Sequence, residues 1–465
     1  MKTPRDILAD LWAQAGGESS ALEAVTLTGH EPVPPSSFRV GAAAQASIAA
    51  AGLAAAQIWR LRSGEMQSVS VDMLHAAIEC RGERYLRVDD NPPPPAWDAI
   101  AGVYKTGDER FVRLHTNFPH HRDNICKILN CKPERGAVQA ALLQWEGAVF
   151  ETAAYAGGGV VSLMRSHDEW SAHPQAKALE TLPLMVIERI GEAAPRPWAR
   201  GDRPLSGLHV LDLSRVIAGP VAGRTLAAHG ADVMLVSSPK LPSIPWLTID
   251  TGRGKLSCAI DLKTEQGRAT LRGLLAKADV FSQGYRPQSL AALGFSPRDA
   301  ALLSPGIVYV SLSAYGHVGP WAERRGFDSL VQTATGFNHA EAQAAGIEGP
   351  KELPMQILDH VTGYLMAFGA MMARIRQSRE GGSWHVRVSL AQTGRWLWNL
   401  GRLGKGLAVP DIAADAVLPC LESSASGFGA LRSVRHSAML SKTPAMWARP
   451  AVPLGTDPPQ WPPRA

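Results

Sequence analysis

His209-Val-Leu-Asp-Leu-Ser-Arg-Val-Ile-Ala-Gly-Pro-Val-Ala-Gly-Arg-Thr-Leu-Ala-Ala-His-Gly-Ala-Asp-Val-Met-Leu-Val-Ser237 reads as strand, helix, strand. His209–Ser214 and Asp232–Ser237 are near-continuous apolar runs, the pattern of strands covered on both faces. Between them, Ala218-Gly-Pro-Val-Ala-Gly223 opens a helix that runs to about His229. The alternation continues downstream. Strands are expected at Leu256–Leu262, Asp279–Ser282 and Ile307–Ser313, and an amphipathic helix capped by Thr264 over Thr264–Lys277. The fold class is therefore α/β, built on a parallel sheet covered on both faces. Ligands of such sheets bind beyond the carboxyl ends of the strands. The loops after Leu213, Ser282 and Ser313 are the candidate site.

A long apolar helix follows, Met355-Gln-Ile-Leu-Asp-His-Val-Thr-Gly-Tyr-Leu-Met-Ala-Phe-Gly-Ala-Met-Met-Ala-Arg374. It approaches membrane-span length, but Asp359, His360 and Arg374 interrupt its ends and glycines stud it, so a buried core helix is expected. Asp359 stands near its start. There the helix dipole favours an ionised carboxylate. Two readings are open, an ordinary N-cap or a buried anionic nucleophile.

Upstream, helices are expected at Pro4–Ala15, from Val40 to about Leu61 and at Met73–Cys80, with a strand at Ser68–Asp72. Two strands meet at the turn Thr106–Asp108. Helices are expected over His121–Leu129, Arg135–Trp145 and Glu146–Ala156. Pro195–Pro204 is a Pro/Arg-rich linker. Beyond Ala408 periodicity fades, and the Pro- and Trp-rich end reads as an extended or disordered tail. The chain also echoes itself at an offset of 317 residues: Gly52, Ala56, Ile58, Arg62, Gly64, Val69 and Val71 match Gly369, Ala373, Ile375, Arg379, Gly381, Val386 and Val388. At this offset Asp359 falls on Ala42, so one copy lacks the carboxylate.

The 465 residues carry a net charge of +5, which suits acidic small molecules and is far from a nucleic-acid-binding signature. The five cysteines are scattered, as expected in a reducing compartment. The spacing of Cys126 and Cys131, and of His115, His120 and His121, fits no closed metal site. The histidines read as loop or surface residues. The first residues lack an apolar signal core, so a cytoplasmic location and no membrane partner are expected. Neither nucleotide-binding glycine fingerprint nor a Gly-x-Ser-x-Gly elbow is present.

Several motifs occur together in order: Leu211–Pro220, His229-Gly-Ala-Asp-Val233, Gly254–Ser257 with Ile260–Lys263, Tyr285-Arg-Pro287, Leu293-Gly-Phe295, Ser313–Pro320, Gly326-Phe-Asp328 and the Asp359 helix. Together they resemble the class III CoA-transferases (the CaiB/BaiF type) over about 204 to 400, which implies a Rossmann-like large domain plus a smaller α+β domain. Ile100–Asp108 and Ser166–Pro174 resemble that family's small domain, and 40–80 its middle, so the family halves stand in permuted or truncated-tandem order. The organisation implied is an N-terminal segment at 1–38, a partial CoA-transferase repeat with the small domain and no catalytic Asp at 39–200, the Rossmann-like domain carrying Asp359 at 201–408, and an irregular tail at 409–465.

The resemblance implies an enzyme that moves CoA from an acyl-CoA to a carboxylic acid through aspartyl-anhydride and aspartyl-CoA intermediates. CoA and acyl-CoA are its substrates, no cofactor is implied, and chains pair as interlocked homodimers. Asp359 aligns with the nucleophile. Val216, Ile217 and Ala218 would line the CoA site, Lys255 and Arg325 would approach its phosphates, and Tyr285 its adenine. Glycine loops near Gly316, Gly319 and Gly157–Gly159 are candidate oxyanion donors. Ser238 and Ala292 stand where family members often have basic residues, and Gly284 where Asn is common. The family's α-methylacyl-CoA racemases pair the aspartate with a histidine that falls here on Phe327, which disfavours racemisation. A racemase-like enzyme and a non-catalytic CoA-binding partner subunit are the alternatives.

Overall fold

The computed structural model describes residues 1–464. Its organising element is a seven-stranded sheet built from β1 (Val186–Gly191), β2 (His209–Leu213), β3 (Asp232–Ser237), β4 (Lys255–Ala259), β5 (Val280–Gln283), β6 (Val308–Ser313) and β7 (Ser383–Ser389). The spatial order is β4-β3-β2-β5-β6-β7-β1. All neighbours are parallel except β1, which runs antiparallel to β7. The chain walks from β2 outward to β4, then returns to β5 on the other side of β2. That reversal opens a crevice between the carboxyl ends of β2 and β5, the place where doubly wound sheets bind ligands.

The apolar runs that define the strands lie where the sequence puts them. β4 is shorter than expected, because Asp261 and Thr264 form the capping turn of the next helix, with Thr264 Oγ1 accepting from Gly267 N at 3.0 Å. The edge strand β1 precedes the linker, so the large sheet recruits a piece of chain that the sequence assigned to the preceding segment.

Four helices position the site: α1 (Val40–Ser63), α2 (Ala218–Ala228), α3 (Asp328–Ala334) and α4 (Ile357–Glu380). α1 and α4 start and end at the offset of 317, and they pack against each other in the core. Each ends at a glycine with positive φ, Gly64 at 78° and Gly381 at 69°, a conformation glycine adopts without steric cost. The next elements keep the register, Val69–Asp72 against the second half of β7, then helices beginning at Met73 and Leu390. Val69–Asp72 has a parallel neighbour, Val25–Thr28, and an antiparallel one, Met439–Leu440, as β7 has in β6 and β1. α1 is long and apolar enough to cross a membrane, yet 94% of its apolar window is buried inside the protein.

α4 approaches α2 at Gly363. A Cβ there would lie 2.5 Å from the carbonyl oxygen of Ala218 and 2.9 Å from Val221 Cβ. Gly363→Ala should therefore push the two helix N-termini apart and cost about 1–3 kcal/mol. A lowered urea midpoint with unchanged slope checks this, and unaltered stability would contradict it.

The small domain is a three-stranded antiparallel sheet (Gly102–Lys105, Phe111–Leu114, Val161–Leu163) covered by helices Pro119–Leu129, Arg135–Leu142 and Gly147–Ala156. It has its own core around Tyr104, Val112, Leu114, Ile125 and Phe150. A buried ion pair, Arg165–Glu151 at 2.6 Å, is extended across the domain boundary by Arg324 at 3.1 Å.

The tail departs from expectation. Leu421–Ser426 and Gly429–Val434 form a hairpin that also takes in Arg87–Val88. Asp457 docks on the exposed edge of β4, its N–H donating to Ser257 O and its carboxylate accepting from Ser257 N, both at 2.7 Å. Trp461 stacks on His209 at 4.4 Å, and Arg464 pairs with Asp279 at 2.8 Å. The tail thus covers a sheet edge that would otherwise be open. Its anchors are single side chains without a period, which is why it reads as structureless.

Candidate active site

A cavity of about 300 Å³ lies over the crevice. Four loops of the large domain form most of it: Ser214–Ala218 after β2, Gly284–Arg286 after β5, Leu312–Ala314 at the end of β6, and Arg324–Phe327 before α3. Asp359 of α4 faces it, and the small domain closes it with Phe118, His120 and His121.

The loop after β2 is tightly held. Val216 adopts φ +74°, a conformation costly for a β-branched residue. This sharp reversal lets Ile217 and Ala218 open α2 directly onto the cavity. Ile217, the residue before α2, provides no side-chain cap, so the first-turn N–H groups have no side-chain partner from that residue. Below the loop, Asp212 accepts from Ser214 Oγ and from Lys255 Nζ, the latter at 2.8 Å.

Lys255 is thus not at the cavity. It is 2% exposed, and its ammonium also donates to Pro220 O at 2.9 Å. The expectation that it approaches phosphates is corrected: it neutralises Asp212 beneath α2. Val216, Ile217, Ala218, Tyr285, Arg325 and Asp359 do line one cavity. Gly284 lines it as well, and Ser238 lines a smaller hollow of about 50 Å³ that shares Ser214, Arg215 and Val216 with it.

Asp359 does not cap its own helix. The N-cap position is Gln356, which makes no side-chain cap bond. The cap comes from α3 instead: Asp328, fully buried, accepts from Asp359 N at 2.9 Å and also from Gln332 Nε2. In the first copy the equivalent N–H, that of Ala42, is capped by Glu31 at 3.1 Å. Both helices therefore have borrowed carboxylate caps, and Asp359 is released from that duty. Its side chain is 7% exposed. Burial, then Asp328 and Glu83, push its carboxyl well above the usual range. Asp328 is itself pushed up to about 7, chiefly by burial. The expectation that the helix dipole keeps Asp359 ionised fails here, because desolvation and a second carboxylate outweigh it.

The glycine loops proposed as oxyanion donors lie elsewhere. Gly316 N donates to Ser313 Oγ and faces Leu179, Gly319 faces Gln175, and Gly158 and Gly159 pack on Asn124 and Ile125. Of the first turn of α2, Ala218 lines the cavity.

The histidines are not surface residues either. His115 and His121 are buried, and only His120 is exposed. His115 stacks flat on Phe327, with ring centroids 3.8 Å apart and planes at 9°. Burial and neighbouring positive groups push His115 and His121 down to about 3, so both are neutral. Arg215 lies over Phe118, and Arg324 over Trp321, while Arg286 and Arg325 are exposed at the rim. Sequence reasoning missed His120, His121, Arg215, Arg286 and Asp328. The cluster of histidines behind Phe118 was the available signal, but nothing local places that helix opposite α4.

The model of CoA-transferase family III matches residues 205–403. An acetyl-coenzyme A transferase of Hypoxylon pulicicidum is 36% identical over 334 residues, covering 64% of this chain and 54% of that protein. A probable fatty acyl-CoA transferase of Mycobacterium tuberculosis is 30% identical, covering 47% of this chain and 60% of that one. A succinate–glutarate CoA-transferase of Agrobacterium fabrum is 32% identical, covering 40% and 51%. The chain thus spans about half the length of these curated relatives. Among solved structures, a CaiB/BaiF family protein from Brucella suis is 26% identical, covers 50% of this chain and 65% of that one, and superposes with a TM-score of 0.37.

Proposed function

We propose, from the match of residues 205–403 to the model of CoA-transferase family III, that this chain transfers CoA from an acyl-CoA to a carboxylic acid with Asp359 as nucleophile. The observation that carries the reading is the uncommitted carboxylate of Asp359, relieved of capping by Asp328 and facing the cavity beside the N-terminus of α2.

In this reading an Asp359 oxygen adds to the thioester carbonyl. The C–S bond breaks, giving a mixed anhydride and CoA thiolate. The thiolate adds to the Asp359 carbonyl carbon, the anhydride C–O bond breaks, and the acyl group leaves as a free carboxylate. The acceptor carboxylate then runs both steps in reverse, so no proton is consumed overall. Position matters more than basicity for so weak a nucleophile. N–H groups at the start of α2 supply the positive end of a helix to the developing oxyanion. Phe327 has no proton to move, so the histidine that racemisation would pair with the aspartate is absent from that position. The homodimer belongs to this reading too.

The test is transfer itself: an acyl-CoA and a second carboxylic acid should yield the second acyl-CoA, without washing α-deuterium into the product from heavy water. Deuterium incorporation without transfer would instead indicate a racemase.

The raised carboxyl sets a pH dependence. A protonated Asp359 is no nucleophile, so kcat/KM should rise as pH rises through its elevated value. Asp328→Asn removes the facing charge while keeping a carbonyl to cap α4. The rising limb should then move toward lower pH. A limb left in place would show that Asp328 does not set it.

A further inference from the structure

The small-domain helix Pro119–Leu129 carries His120 and His121 at the cavity in its first turn. Its other end holds a feature the transfer steps do not use. Asn130 adopts the left-handed conformation, at φ 49° and ψ 49°. Asn130 N donates to Lys127 O at 3.3 Å, and Cys131 N donates to Cys126 O at 3.1 Å. These are the two bonds of a Schellman cap. Such a cap brings two side chains together, one from the last turn of the helix and one from the residue after the left-handed position. An apolar pair frequently fills those places. Here the pair is Cys126 and Cys131. Both are free thiols, partly exposed, at the margin of the small-domain core. The Cys126 side chain is the hydrogen-bonding neighbour of the Cys131 thiol.

We infer that Cys126 and Cys131 are a modification site, a dithiol that closes to an intramolecular disulfide by exchange with a small disulfide such as oxidised glutathione. The backbone bond between them keeps their α-carbons within about 7 Å, the range a disulfide can bridge. Closure then needs side-chain rotation and little backbone movement. One cysteine thiolate attacks glutathione disulfide, and one glutathione leaves. The other cysteine attacks the mixed disulfide, and the second glutathione leaves. The two cysteine protons pass to the departing sulfurs, so the dithiol is oxidised and glutathione disulfide is reduced to two thiols. Burial pushes both cysteine thiols up, which slows the first attack. The second joins groups already side by side. A reducing compartment holds the pair open. Oxidation closes it and fixes the far end of the helix that forms part of the cavity wall.

The test uses the full chain, incubated with oxidised glutathione, blocked with iodoacetamide and digested with trypsin without reductant. Trypsin cuts after Arg122, Lys127 and Arg135, while Lys132 is shielded by Pro133. Cys126 and Cys131 therefore fall in separate peptides, 123–127 and 128–135. The expected product is these two peptides joined, two hydrogens lighter than their reduced sum and parted by dithiothreitol. Cys80, Cys258 and Cys420 are buried and should remain unlinked in the same digest. Both peptides recovered singly, whether alkylated or carrying glutathione, overturn the inference. So does linkage of either cysteine to Cys80, Cys258 or Cys420 in place of its neighbour.

Discussion

Asp359→Asn should abolish CoA transfer while leaving CoA bound. Asn keeps the size of the side chain and leaves the Asp328 cap on the backbone N–H of residue 359 intact. It removes the one thing the mechanism needs, an oxygen that can form an anhydride. Loss of a covalent nucleophile commonly costs several orders of magnitude, so kcat/KM should fall by about 10⁴-fold or more. Dissociation of CoA, measured by calorimetry, should change little, because the Ser214–Ala218 loop and the arginine rim are untouched. Stability should rise, if it moves at all, since an isolated buried carboxyl beside a second one is replaced by a neutral amide. Substantial residual transfer would remove Asp359 from the chemistry.

The second large effect is on folding. Lys255→Ala should destabilise the protein by about 3–5 kcal/mol, the cost of leaving a buried charge without its partner. The charge left behind is Asp212, fully buried beneath α2, with Ser214 Oγ as its remaining donor. Urea denaturation would show a much lower midpoint. If Lys255 instead served a phosphate of CoA, the variant would keep its stability and lose CoA affinity, as expected for a solvated cation. Arg325→Ala makes the contrast, since its guanidinium is exposed at the rim. It should affect ligand binding and leave the midpoint unchanged.

These two residues also show what local sequence can carry. The parallel strands are legible because a strand buried on both faces must be an apolar run, and that signal lies within a few residues. The Asp359 helix is legible for the same reason, and its echo at Val40–Ser63 survives because both helices are buried all round. The fate of a particular charge is different. Lys255 follows a family motif but pairs inward, because β4 brings it within 2.8 Å of Asp212 on β2. Asp328 takes over the capping of α4 from 31 residues upstream. His121 reaches the cavity only through the docking of one domain on another. The tail is held by Trp461, Asp457 and Arg464, each at a separate point, so no period announces it. Local pattern decides which elements form, and tertiary partners decide what each polar side chain does.

The most direct test is to mix the protein with an acyl-CoA, trap with hydroxylamine and map the modified peptide by mass spectrometry. The account predicts released CoA and a hydroxamate at Asp359, absent from Asp359→Asn. CoA that binds tightly while no acyl donor, with or without a second carboxylate, marks Asp359 would contradict it.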